Sequence, residues 1–180
     1  GHGNLSMTLK AGRLGIGTSE PRAALDVRGN LNVDGVITTP QRPVFYAYYP
    51  GAVNTTNGYT GFINFPNTRI NVGGCYNTSD YKFYAPITGY YWFEFTILSR
   101  EQTGVGNAES TLYKNGSNIS ARSLAYQWPS ANQDHDNLSF SVPVQMNAGD
   151  NIRPGIHATT PGVDYYYGEE LAHFSGYFIG

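Results

Sequence analysis

Tyr90-Tyr91-Trp92-Phe93-Glu94-Phe95-Thr96-Ile97-Leu98 decides the fold class. Tyr91, Phe93, Phe95 and Ile97 fall on one side of an extended chain, because successive strand residues point to opposite faces. The pattern recurs downstream. Leu138, Phe140, Val142, Val144 and Met146 alternate with Asn137, Ser139, Ser141, Pro143 and Gln145, the signature of a half-buried strand. Pro143 has no N–H to give a ladder and is expected to face away from one. Phe174, Gly176 and Phe178 alternate with His173, Ser175 and Tyr177. Asn115-Gly116 and Ala148-Gly149-Asp150 are turn signals between such runs. Helical periodicity is absent, so an all-β sandwich follows.

Composition agrees. Only 13% of the 180 residues are charged, against about 25% in an ordinary globular domain. Aromatics make up 14%, with 15 tyrosines, which a disordered chain would not carry. The net charge of −2 comes without any Lys/Arg run, so the basic face that duplex nucleic acid requires is missing. No apolar stretch approaches the roughly 20 residues of a membrane helix. Gly1-His2 reads as the remnant of a tag, so the lack of a recognisable leader carries no weight. The one cysteine, Cys75, lacks the spacing of a zinc site and is read as a small buried residue.

Five signals in order carry a resemblance: Asn71-x-Gly73-x-x-Tyr76; Lys82-x-x-Ala85-Pro86-x-x-Gly89-x-Tyr91-x-Phe93; Leu112-Tyr113-Lys114-Asn115-Gly116; Val144-x-Met146-x-Ala148-Gly149-Asp150; and Phe174-x-Gly176-Tyr177-Phe178. Together they resemble the C1q globular domain over about residues 43–180. The resemblance implies a ten-stranded TNF-like jelly roll, packed as a compact trimer around the strands that carry both termini. It places Phe45, Tyr46, Tyr48, Tyr177 and Ile179 in the central seam. One turn departs from the family: Asp80-Tyr81 stand where Thr-Gly is usual, so that turn is expected to be rebuilt. The Gly-X-Y repeats that precede animal C1q domains are also absent.

Residues 1–40 read as a separate segment, with the head occupying 41–180. Leu5–Leu9, Leu14–Gly17, Leu25–Val27 and Leu31–Val33 are short period-two couplets, none long enough to bury a core alone. Identical copies wound about one axis would pool their apolar edges. Leu14-Gly15-Ile16-Gly17-Thr18-Ser19-Glu20-Pro21, followed by Leu25-Asp26-Val27-Arg28-Gly29-Asn30, resembles the shaft or collar segment of phage tail fibres and tailspikes. That resemblance implies a trimeric fibre.

Strand parity locates a binding end. The first head strand, near Val44, leaves the shaft and pairs antiparallel with the last strand by the family's pattern. Antiparallel neighbours then alternate the connections between base and apex. Arg100–Ala108, Ala125–Asp136 and Ala158–Glu170 fall at the apex; the tight turns at Asn115 and Asn147 fall at the base. Long loops on a rigid scaffold are where recognition is usually built. The receptor-contacting candidates are therefore Tyr126, Trp128, Asn132, Asp134, Asp164, Tyr165, Tyr166, Tyr167 and Glu169. Tyr and Trp supply stiff contact area with a polar handle, and Asn/Asp supply acceptors suited to a glycan.

Asp134-His135-Asp136 reads first as a solvated polar loop. A calcium ion would need about six oxygens, towards which Asp134, Asp136, Asp164 and Glu169 could contribute, so calcium stands as the only cofactor to test. His157 and His173 read as hydrogen-bonded packing residues. No nucleophile elbow, P-loop or HExxH motif occurs, and no catalytic residue is assigned. The expectation is a non-catalytic homotrimeric tail-fibre tip on a virion, attaching to a host-surface glycan or protein and joined to its fibre through the shaft. Two alternatives stand beside it. One is a structural trimerisation module of a virion or bacterial surface filament; the other is a glycan hydrolase.

Overall fold

The computed structural model describes residues 7–50, 53–55, 61–101, 108–120, 124–127, 135–158, 163–167 and 171–180. All regular structure among them is β. The chain divides into two units, one ending at Thr39 and one beginning at Pro40.

The first unit holds β1 (Met7–Lys10), β2 (Arg13–Ile16) and β3 (Leu25–Val27). β1 and β2 form an antiparallel hairpin, and β3 lies parallel to β2, with Leu14 opposite Leu25. The couplet Leu31–Val33 forms no strand. Gly15 comes so close to Thr18 that an added Cβ would stand 2.6 Å from its carbonyl oxygen. Thr18 and Pro21 are buried against this turn, and the Thr18 hydroxyl accepts from the Glu20 N–H at 3.2 Å. The motif is a self-locking turn, built from a glycine, a threonine and a proline.

The head holds β4 (Val44–Tyr48), β5 (Val53–Thr55), β6 (Gly61–Phe62), β7 (Asn67–Val72), β8 (Tyr76–Asn77), β9 (Lys82–Tyr84), β10 (Gly89–Glu101), β11 (Ala108–Lys114), β12 (Ser117–Asn118), β13 (Ala125–Gln127), β14 (His135–Met146), β15 (Asn151–Ala158), β16 (Val163–Tyr167) and β17 (Ala172–Phe178). They form two sheets of a jelly roll. One runs β14-β10-β17-β4-β7, with β16 and β5 pairing beside the far end of β10; the other runs β12-β11-β15-β9-β8, with β13 beside β11 and β6 beside β15. β14 pairs only with β10 among the described strands, so Pro143 stands on a sheet edge, where a residue without an N–H is tolerated.

The core is aromatic. Tyr91, Phe93, Phe95 and Ile97 are all fully buried, as the alternation requires. Phe45 stacks on Tyr76 and on Phe83, each at 5.1 Å, and Phe93 stacks on Phe174 at 5.7 Å. Gly176 makes this possible: a Cβ there would lie 2.6 Å from the Phe93 ring and 2.9 Å from Phe45. Asn115 and Gly116 take φ of 51° and 83°, both left-handed, as a two-residue hairpin between β11 and β12 requires.

Two expectations are corrected here. Phe45 cannot serve the seam between copies: it is 1% exposed and points into the sandwich. His157 does not pack inside; it is exposed on β15. At the Asp80-Tyr81 turn, Tyr81 takes φ of 61°, a conformation that glycine would adopt without strain.

Candidate functional site

Strand register defines the two ends of the head. Val44 lies opposite Tyr177 and Tyr91 opposite Phe178, while Gly89 lies opposite Met146; these mark the end where the chain enters the head. At the other end, Arg100 of β10 lies between His135 of β14 and Asp164 of β16, and Ala108 lies between Gln127 and Ala158. The connections following Glu101, Gln127 and Ala158 therefore leave from one end, opposite Val44. The turns at Asn115 and at Asn147–Asp150 lie at the Val44 end.

The candidate binding residues divide as follows. Asp164, Tyr165, Tyr166 and Tyr167 belong to a strand rather than to a loop: β16 is sandwiched between β10 and β5, with Tyr165 opposite both Ser99 and Thr55. A run of consecutive tyrosines is good strand sequence, and the loop reading missed the pairing it could make. Tyr126 sits in β13 opposite Glu109 and is 44% exposed. Trp128, Asn132, Asp134 and Glu169 lie outside the described residues. Of the four carboxylates considered for calcium, Asp136 lies opposite Ser99 and Asp164 opposite Arg100, on the two strands that flank β10. The other two, Asp134 and Glu169, lie outside the described residues.

The outward face of the first sheet forms a second surface. Along β10 the residues between the core positions are Trp92, Glu94, Thr96 and Leu98; along β17 they are His173, Ser175 and Tyr177; along β4 they are Tyr46 and Tyr48. Tyr46 stacks on His173 at 5.0 Å and lies 6.5 Å from the Tyr48 ring. The Arg69 guanidinium sits 5.7 Å above the Tyr48 ring. Tyr177 and Ile179 are 46% and 44% exposed. Four of the five seam candidates, Tyr46, Tyr48, Tyr177 and Ile179, thus remain accessible, and only Phe45 is lost to the core.

This face also holds a cavity of about 380 Å³, lined by Glu94, Thr96, Leu98, Asn137, Leu171 and His173 among others. The Thr96 hydroxyl donates to Asn137 Oδ1 across the β10–β14 pair. His173 Nε2 stands 3.9 Å from Glu94. Burial pushes the His173 pKa below the usual histidine value, against the opposing pull of Glu94. Sequence reading missed Glu94 in this role, although a signal existed: it occupies the outward parity of the strand whose inward parity was read as core.

Two further perturbed groups, Cys75 and Asp150, serve the fold. Burial pushes the Cys75 thiol up to about 11, so it stays protonated, and its sulfur donates to the Val72 carbonyl at 3.3 Å. Asp150 is held down to about 2 by hydrogen bonds from Asn115, from the Asn147 N–H and from Lys114, which ties together the two turns at the Val44 end.

The head resembles several solved structures. The globular domain of zebrafish complement 1qA is 16% identical, with a TM-score of 0.58, covering 77% of this chain and 98% of that one. The Eiger TNF of S. frugiperda is 12% identical, with a TM-score of 0.55, covering 77% and 94%. Murine APRIL is 10% identical, with a TM-score of 0.55, covering 77% and 99%. At such identities these likenesses establish the fold alone, a jelly roll shared between C1q and TNF heads. The C1q domain pattern itself matches residues 44–179, most of the chain, and this protein belongs to the C1q domain family, whose domain is typically a trimerising module.

Proposed function

We propose that this chain is the receptor-binding tip of a trimeric fibre, carried on a virion and attaching without catalysis to a glycan or protein of a host surface. One observation carries the reading: register gathers the connections that follow Glu101, Gln127 and Ala158, with Tyr126 and the Asp164–Tyr167 strand, at the end of the head opposite Val44. If a shaft occupies the Val44 side, that far end is what remains to meet a target. Three copies on one stalk would raise avidity by about 10²–10⁴ over a single weak site. The fibre-type motif at Leu14–Pro21 supports the phage context.

A trimerisation module without a receptor is the second reading. It is favoured by the family's typical role and by the apolar residues exposed on the unit ending at Thr39. The two readings separate on one experiment. The chain is expected to run as a trimer of about 59 kDa, three times 19.7 kDa, and to bind host cells. The double variant Trp128→Ala/Tyr166→Ala is expected to keep that mass and lose most binding. A trimer that binds neither cells nor purified host glycan selects the module. Loss of the trimer in EDTA would bring calcium into the assembly; product release from host polysaccharide would select a hydrolase.

A further inference from the structure

Polar side chains are not spread evenly over the outward face of the first sheet. On the β14 side of β17 they converge on the cavity of about 380 Å³, a size at the lower end of the range for small-molecule sites. The seam candidates Tyr46 and Tyr48 lie on β4, beyond β17 from this cavity. We propose that the cavity binds a single sugar ring, held through its hydroxyl groups. The proposal needs neither a virion nor a trimer.

Register builds the site in three rows. In the middle row Thr96 stands between Ser139 of β14 and His173 of β17. Glu94 is two residues along β10 towards the Val44 end. Leu98 is two residues the other way; it lies opposite Asn137, and its N–H donates to the Leu171 carbonyl at 2.9 Å. Neighbours across strands are about 4.8 Å apart and rows about 6.8 Å apart, so the polar groups surround a guest instead of meeting at one point. One of them is pinned. Thr96 is only 9% exposed, and its hydroxyl donates to Asn137 Oδ1. That bond leaves the amide N–H groups of Asn137 as the end that donates to a guest.

The chemistry of these groups selects hydroxyls over charges. The Glu94 carboxylate accepts, the Asn137 amide donates, and Ser139 does either. Burial holds His173 below the ordinary histidine value, so at neutral pH its ring offers one N–H and one acceptor. An anionic guest would face the Glu94 carboxylate. An ammonium guest would suit Glu94 but has no acceptor for the Asn137 amide. A sugar hydroxyl both donates and accepts, so the rim of one ring can meet all of these groups. Leu98 and Leu171 add apolar wall for its C–H faces.

The test titrates the full chain with glucose, galactose, mannose and N-acetylglucosamine, and with their methyl glycosides, read by ligand-observed NMR. At least one ring is expected to bind. Glu94→Gln keeps the shape of the side chain and is expected to weaken that binding at least about tenfold. Thr96→Val releases Asn137 without touching the guest and is expected to weaken it about threefold. A methyl glycoside that binds as well as its free sugar supports the site as one for the terminal unit of a glycan; binding confined to the free sugar supports it as one for a monosaccharide. Failure of all these compounds to bind, or binding indifferent to Glu94→Gln, overturns the proposal. Binding of ethylamine in place of every sugar overturns it too, in favour of a cation site. Host-cell attachment is measured on the same samples: a chain that attaches to cells but binds no sugar overturns the cavity site alone and leaves the receptor reading standing.

Discussion

The two units of this chain treat apolar residues in opposite ways. The head puts Phe45, Phe65, Phe83, Phe93, Phe95 and Phe174 at 0–1% exposure. The unit ending at Thr39 leaves Leu9 79%, Val36 89%, Met7 67% and Ile37 64% exposed. No described Leu, Ile, Val or Met of that unit is buried; what it buries is Gly15, Thr18 and Pro21. The head therefore holds within one copy the core it needs. The described part of the smaller unit has a defined turn but no buried apolar core.

Truncation should separate the units most sharply. Phe93→Ala should cost the head about 3–5 kcal/mol, because it removes a ring packed against four others and leaves a cavity. Gly176→Ala should also destabilise strongly, by forcing Phe93 and Phe45 apart. Leu9→Ser with Val36→Ser should shift the head's unfolding midpoint by less than about 0.5 kcal/mol. Denaturant melts followed by tyrosine fluorescence read all three. A large shift from the Leu9/Val36 pair would mean that the head depends on the smaller unit.

Acid gives an intermediate effect. The described part of the smaller unit has no histidine, whereas the head has His173 at a depressed pKa. An unfolded chain binds that proton more readily than the native head does. Stability from His173 is therefore complete above the ordinary value near 6.5 and drains away as pH falls through it towards the lower native value. Melting temperatures at pH 8 and pH 5 should differ, and His173→Gln should narrow the difference. An unchanged gap would assign the acid response to other groups.

The smallest effect belongs to one backbone angle. Tyr81→Gly relieves a left-handed non-glycine residue but adds chain entropy to the unfolded state, so the head should gain no more than about 1 kcal/mol. A loss instead would show that the Tyr81 ring contributes packing that outweighs the strain.

Most of the fold was legible in advance because strand burial is a local, period-two property. Tyr91-x-Phe93-x-Phe95-x-Ile97 and Leu138-x-Phe140 report their buried face without reference to any partner, and Asn115-Gly116 reports a hairpin turn because both residues tolerate positive φ. The sites were less legible. In Val44-Phe45-Tyr46-Ala47-Tyr48 both faces are apolar, so alternation cannot tell the core ring from the surface ring. Only packing against Tyr76 and Phe83 assigns Phe45 inward and leaves Tyr46 and Tyr48 outside.

By itself, then, the sequence determined the long strands and their core, the tight turns and the C1q pattern, since each depends on neighbours within a few residues. Tertiary structure decided what depends on distant partners. It made a strand of Val163–Tyr167 by supplying Leu98–Glu101 on one side and Val53–Thr55 on the other. It brought His173 within 3.9 Å of Glu94 and set the bulge that turns Arg69 onto the same face. Cross-strand neighbours are fixed by register, and register is settled only when whole strands have found one another.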